Sequence, residues 1–286
     1  MPAHPALPAL PVHELGLGDL PRLLDLGADR GWSREEYKWR LLLQVGTVYG
    51  IEAPDGDGLA TALVLTRYGD SLASIGMVLT AGRYARQGLG RHTMRHALDA
   101  AGDAVVTLHA TPNGRPLYEQ LGFRAVSTSP MRTGTFSPDP AVDTSAVRPA
   151  RAADLDAIRA LDAEVFGADR TQLLTRLPAF CERLLVAESD GRLTGFAGTW
   201  QNVGNLVIGP VIADSPDTAK ALISGLAAGV DQEVRLDVDA RHKELCDWLT
   251  ERGLPEASWE QSVMVRGAEQ APGDLTRRFV PVTVAL

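Results

Sequence analysis

Cysteine is nearly absent: Cys181 and Cys246 are the two thiols in 286 residues. Two thiols make no disulfide framework, and neither sits in the Cys or His spacing that a bound metal needs. The expectation is a reducing, cytoplasmic setting, two free thiols and no metal. Long apolar runs are missing as well. No stretch reaches the roughly 18 to 20 apolar residues of a membrane helix, so no membrane association is expected. The opening Met1-Pro2-Ala3-His4-Pro5 lacks a basic segment followed by an apolar one, and reads as a Pro-rich lead-in rather than a secretory signal. Lysine supplies three of the 28 basic residues (Lys38, Lys220 and Lys243), and the net charge is −8. An acidic chain with no basic run is a poor ligand for nucleic-acid phosphates, and no nucleic-acid partner is expected. The acidity is uneven: residues 1–140 hold 14 acidic and 13 basic side chains, which leaves −7 for the remainder.

Hydrophobic residues make up 45% of the chain and charged residues 22%, the balance of a globular protein. The length suggests two domains. Ser137-Pro138-Asp139-Pro140-Ala141-Val142-Asp143-Thr144-Ser145, with two prolines and no large apolar side chain, reads as the linker. It separates a domain over 1–138 from one over 146–286. In the first, a short strand at 12–15 precedes a helix from Leu20 that Gly27 stops. Ser33 and Glu36 suit a capping box for a second helix. Two strands flank the Asp-Gly turn at 54–58, and the pattern then runs strand 71–80, helix 88–101, strand 104–109, helix 114–120 and strand 123–126. The second half repeats this order: strand 146–149, a helix capped by Asp154, a helix over 171–180, a hairpin at 183–200, strand 206–212, helix 215–228, strand 233–238, helix 243–251 and strand 258–265. Alternating apolar residues at 279–284 could add an edge strand. The fold class expected is α/β, a mixed sheet, present as a tandem repeat.

Chemistry concentrates in two stretches of the first half. In one, an apolar strand ends at Thr80 and Ala81-Gly82-Arg83-Tyr84-Ala85-Arg86-Gln87-Gly88-Leu89-Gly90-Arg91 leads into a helix. A helix start offers unpaired N–H groups and partial positive charge, and glycine lets the backbone approach a phosphate. Gly-Leu-Gly can equally be a plain tight turn. It is not a dinucleotide fingerprint, since Thr93 stands where the third glycine belongs, and no Gly-Lys-Ser/Thr comes after it for a nucleoside-triphosphate loop. The other stretch is His109-Ala110-Thr111-Pro112-Asn113-Gly114-Arg115-Pro116-Leu117-Tyr118-Glu119-Gln120-Leu121-Gly122-Phe123. On its own, Tyr118 reads as a core aromatic as readily as a proton donor.

Together the two stretches resemble the GNAT superfamily of acyl-CoA N-acyltransferases. That family carries a Gln/Arg-x-x-Gly-x-Gly/Ala loop, which Ala85-Arg86-Gln87-Gly88-Leu89-Gly90 matches except at Ala85. It also carries a Leu-Tyr-x-x-x-Gly-Phe segment, which residues 117–123 match fully. The resemblance implies acetyl-CoA as co-substrate. Its diphosphate would lie on the amides of Arg86, Gln87, Gly88, Leu89, Gly90 and Arg91, and its pantetheine arm along Val78, Leu79 and Thr80. Thr111 stands where many members place an Asn that touches the cofactor. Tyr118 would be the general acid. Arg83 or Arg86 could make up for Ala85. No carboxylate lies on the strand at 71–80, which leaves His109 as the best general base; a structural sheet-end histidine is the competing reading. Glu14, Asp70 and Glu119 are weaker choices, and Trp32, Tyr37 and Trp39 either line the acceptor cleft or belong to the core.

The second half resembles the same family in a degraded form. Ala213-Asp214-Ser215-Pro216-Asp217 has no Gly-x-Gly, and Trp248 or Leu249 replaces the tyrosine. It is expected to turn over no acetyl-CoA, and to shape the acceptor cleft, support the first domain or mediate association, a homodimer included. The implied activity is an N-acetyltransferase acting on a small-molecule or protein amine. The alternative is a non-catalytic acyl-CoA-binding or sensing module.

Overall fold

A computed structural model describes residues 10–286, the side chains of 258–260 excepted. The Pro-rich lead-in lies outside the described residues. The chain divides into two compact units, one ending at Leu108 and joined by Ala285, the other covering His109–Val284 with Leu286.

The first unit is a mixed sheet in the order β1 (His13–Leu15), β2 (Thr47–Glu52), β3 (Leu59–Tyr68), β4 (Leu72–Thr80) and β5 (Val105–Ala110), whose last two residues fall in the other unit. The first four strands pair antiparallel, and β4 pairs β5 parallel. Helices α1 (Leu20–Asp29), α2 (Glu36–Val45) and α3 (Leu89–Ala101) pack on β2, β3 and β4. Nine of the ten β3 residues are buried, so both faces of that strand are covered and its sequence is apolar without alternation. Two local expectations give way. Helix α1 runs past Gly27 to Asp29. No capping box forms at Ser33: the N-cap of α2 is Glu35 without a side-chain cap, and Glu36 bonds Arg40 one turn on.

The second unit begins with α4 (Arg115–Gln120) and β6 (Arg124–Gly134), then β7 (Val147–Pro149), α5 (Leu155–Phe166), α6 (Thr171–Leu174), α7 (Leu177–Phe180), β8 (Arg183–Ser189), β9 (Arg192–Gln201), β10 (Leu206–Ala213), α8 (Pro216–Ala227), β11 (Val234–Asp237), α9 (Lys243–Glu251), β12 (Glu256–Arg266) and β13 (Arg278–Val280). Its strands lie in the order β12-β6-β11-β10-β9-β8-β7, and β13 pairs β10. The helix expected over 171–180 is two short ones, with Pro178 in the first turn of α7. Strand β6 is far longer than the 123–126 segment, because β12 pairs it on one edge and β11 on the other. These pairings place β6 among strands of the second half of the sequence. They are why the compact units part at 108/109 and not in the 137–145 stretch.

One ion pair in this unit is wholly enclosed. Asp162 and Arg170 are joined by two hydrogen bonds of 2.8 and 3.0 Å, and the guanidinium lies 3.4 Å from the Phe166 ring centroid. Neither side chain exceeds 1% exposure, so removing one leaves the other's charge uncompensated. Asp162→Ala is expected to cost about 3–5 kcal/mol in urea-unfolding free energy. A loss under about 1 kcal/mol would show that Arg170 finds another counter-charge.

Candidate active site

Strand β4 sets the geometry of the first unit. Its ladder with β5 covers three pairs, Leu72–Val105, Ala73–Val106 and Ser74–Thr107. Beyond Ser74 the outer half of β4 has no strand partner on that edge among the described residues. On the β3 edge, Val64 pairs Gly76 and Ala62 pairs Leu79, so β4 holds one extra residue there. This is a β-bulge, with Met77 in the left-handed region at φ 52°. A bulge re-aims a strand, and Val78, Leu79 and Thr80 come directly after this one. Val78 and Thr80 are half-buried and Leu79 is buried. Thr61 steadies them by donating its hydroxyl to the Leu79 carbonyl at 2.6 Å. Nothing in the sequence marks the bulge, since Met77 looks like any apolar strand residue.

The turn into α3 presents its main chain. Arg86 has φ 61° and Gly88 φ 87°, and Gly88 is the N-cap of α3 with no side-chain cap. The His92 amide donates to the Gly88 carbonyl at 3.0 Å. The amides of Arg86, Gln87, Gly88, Leu89 and Gly90 donate to no carbonyl among the described residues. Left-handed residues in such a run turn successive N–H groups into a concavity that suits an anion. Ala85 through Gly88 are exposed. Arg83 is turned away from this job: it bonds Asp55 at 3.0 Å and the carbonyl of Asp57. The Gln87 amide group reaches back to the Arg83 carbonyl at 3.0 Å. Of the aromatics considered for a cleft, Trp39 is core at 1% exposure, whereas Trp32 and Tyr37 are exposed.

His109, Thr111 and Tyr118 belong to the second unit. Tyr118 is held by the residues on its C-terminal side. Gly122 (φ 88°) closes α4, and the Phe123 amide donates to the Tyr118 carbonyl, the six-to-one bond of a Schellman turn. Phe123 then packs edge-on against the Tyr118 ring at 6.1 Å. Gly114 is needed beneath the ring, because a Cβ there would stand 2.9 Å from it. The Tyr118 hydroxyl makes no hydrogen bond among the described residues, and burial pushes its pKa far above that of free tyrosine. Burial also pulls the His109 imidazole below its ordinary value, against opposing influences from Asp237, Asp239 and a hydrogen bond to the Val284 backbone. The Thr111 hydroxyl accepts from the Gly114 amide at 3.3 Å, which makes it part of the start of α4. Of the weaker choices, Glu119 is paired with Arg115 at 2.7 Å and Asp70 with Arg67 at 3.6 Å. The Val284 carbonyl carried no signal in the sequence, for its contact depends on the fold and not on its side chain.

The second copy of the motif is resolved by the same turn. Gly253 has φ 87°, and the Leu254 amide donates to the Leu249 carbonyl, so Leu249 takes the place of Tyr118. Trp248 instead bonds Asp139 at 2.8 Å. Among the described residues no helix is long and apolar enough to cross a membrane.

Comparison with known proteins gives a family for both halves. Models of the acetyltransferase (GNAT) domain match residues 54–135 and 158–279. An uncharacterized N-acetyltransferase, YitH of Bacillus subtilis, is 34% identical over 236 residues, covering 81% of this chain and 83% of that one. The fold is similar to a putative acetyltransferase from Pyrococcus horikoshii (TM-score 0.75, 18% identity, 96% and 95% of the two chains). It is also similar to a tandem GNAT protein of the clavulanic acid pathway (TM-score 0.63, 13% identity, 90% and 97%). With its two matched domains, the chain belongs to the GNAT acetyltransferases as a tandem member, an acyl-CoA-dependent N-acetyltransferase.

Proposed function

We propose that the chain moves an acetyl group from acetyl-CoA to an amine, with the domain over 1–138 performing the chemistry and the domain over 146–286 performing none. The observation that carries this is the run of amides at residues 86–90 that meet no carbonyl among the described residues, following a strand whose outer edge has no strand partner among them. Five donors at a helix start, with no acidic side chain in its first turn, suit a diphosphate. Arg86 to Arg91 would hold it, and the main chain of Val78, Leu79 and Thr80 would hold the pantetheine arm. Bound acetyl-CoA supplies an acyl group already activated as a thioester.

The remaining work is proton transfer. Tyr118 keeps its proton through the physiological range because its pKa is raised, so Oη can release it as the thiol departs. His109 is neutral there because its pKa is lowered, so it can take the proton of an incoming ammonium. If one ring nitrogen donates to the Val284 carbonyl, the other keeps its lone pair. Thr111 retains its hydroxyl proton as a donor toward the cofactor. The acidic surplus of the second half favours a cationic amine through long-range attraction.

Three measurements test this reading. Tyr118→Phe is expected to lower kcat about 10²- to 10⁴-fold in a thiol-release assay over an amine panel, with acetyl-CoA affinity kept. An unchanged kcat removes the acid role. Tight acetyl-CoA binding by the wild type with turnover of no amine would establish the sensing alternative. Gly88→Glu should weaken acetyl-CoA about 100-fold or more by calorimetry, since a carboxylate would replace the phosphate and the left-handed angle disfavours a side chain. Gly88→Ala, which carries the angle penalty alone, should lose much less. As for pH, His109 works neutral, so kcat should fall on acidification through a pKa below the ordinary imidazole value of about 6.5. In His109→Gln that limb disappears; its persistence would place the base elsewhere.

A further inference from the structure

Strand β10 repeats β4 in detail. It starts beside a parallel neighbour, pairing β11 at Leu206–Val234 and Val207–Arg235, and the ladder then stops. Its other edge carries the same one-residue bulge: Ile208 pairs Thr199 and Val211 pairs Ala197. Counted from the bulge, Val211 and Ile212 stand where Leu79 and Thr80 stand in β4. In β4 no strand pairs that edge among the described residues, although Ala285 of the tail lies against Gly76 at its start. In β10 it is taken, because β13 pairs it antiparallel at Val211–Val280 and Ile212–Arg278.

The segment is fastened at several points. The Trp200 indole donates to the Val282 carbonyl at 2.9 Å in a buried hydrogen bond. His242 Nε2 lies 2.7 Å from the Arg278 carbonyl, and its ring stacks on Phe279, which is 1% exposed. Gly209 is required where the segment passes, since a Cβ there would lie 2.3 Å from the Pro281 carbonyl. The helix start beyond β10 is closed too. Ser215 caps α8 by accepting the Thr218 amide at 3.1 Å, and Asp217 stands in its first turn.

We infer that residues 278–282 are a built-in ligand, the chain's own backbone seated in the second domain's counterpart of the acyl-CoA groove. The inference rests on the proposed function, in which the outer edge of β4 takes the pantetheine arm. It explains why every β10 residue is buried while Val78 and Thr80 are only half-buried. It also assigns the alternating apolar tail a role that its sequence alone does not show: a strand inserted inside a sheet rather than added at its edge.

Hydrogen exchange on the full chain, with and without coenzyme A, tests both readings separately. The expected result is slower exchange at 78–91 and no change at 206–218. Slower exchange at 206–218 overturns the inference, because the second groove would then be open to the cofactor. No slowing at either stretch overturns the proposed function and leaves the inference to a second arm, Trp200→Phe without ligand. That variant keeps an aromatic ring, though a smaller one, and loses the indole N–H that bonds Val282. Exchange at 206–213 should rise roughly tenfold while β3 is unaffected. Unchanged exchange at 206–213 would show that the segment does not cover β10, and would overturn the inference.

Discussion

Main-chain polar groups must find partners, and a splayed sheet leaves a set of them without any. In β4 the parting from β5 after Thr107 strips one edge of its ladder, and the turn at 86–90 adds five amides with no carbonyl to receive them among the described residues. Water can satisfy these groups in the absence of a ligand, but a chain gains nothing in stability from such an arrangement. Several features of the first unit accompany these open donors. The bulge at Met77 turns the strand, the left-handed Arg86 and Gly88 turn the amides, and Arg83 is tied to Asp55 beside them.

The second half meets the same constraint by the opposite route. Strand β13 completes the β10 edge, and Ser215 fills the helix start. Leu249 sits in the turn that elsewhere holds Tyr118, and it is fully buried. Each change trades an exposed donor or a buried hydroxyl for an internal partner or an apolar contact. Satisfied main chain and apolar burial stabilise a domain, whereas open donors serve a ligand. The two copies therefore differ in a consistent direction at three separate places, which is what divergence from a binding to a supporting role would produce.

The parts legible in the sequence were those written in local chemistry. Gly88 and Gly122-Phe123 declare themselves because positive φ favours glycine and an apolar residue commonly follows it in a Schellman turn. The hairpin at 54–58 and the helix starting at Leu89 are local in the same sense. The features that stayed hidden depended on distant pairing. Ser127-Thr128-Ser129-Pro130 has the polar residues and proline of a loop, yet it lies mid-strand in β6 because β12 pairs all four residues, and β11 pairs the strand from Met131 onward. Ser33 and Glu36 have the spacing of a capping box, but Glu36 is already engaged with Arg40. The tail was legible as a strand from its alternation, while its place within the sheet was not, since no local feature of 278–282 specifies β10.

The proton chemistry shows the same division at the scale of single groups. Tyr118 is announced by its motif, and its raised pKa comes from a buried hydroxyl that no neighbour relieves. His109 is the reverse case. Its imidazole is depressed by burial, yet Asp237, Asp239 and the Val284 main chain all oppose the shift. Burial is the largest of these influences and sets the direction of the shift. One of the opposing influences is the Val284 backbone, near the end of the tail that carries β13. The same tail that pairs β10 through β13 thus reaches His109 four residues later, at Val284.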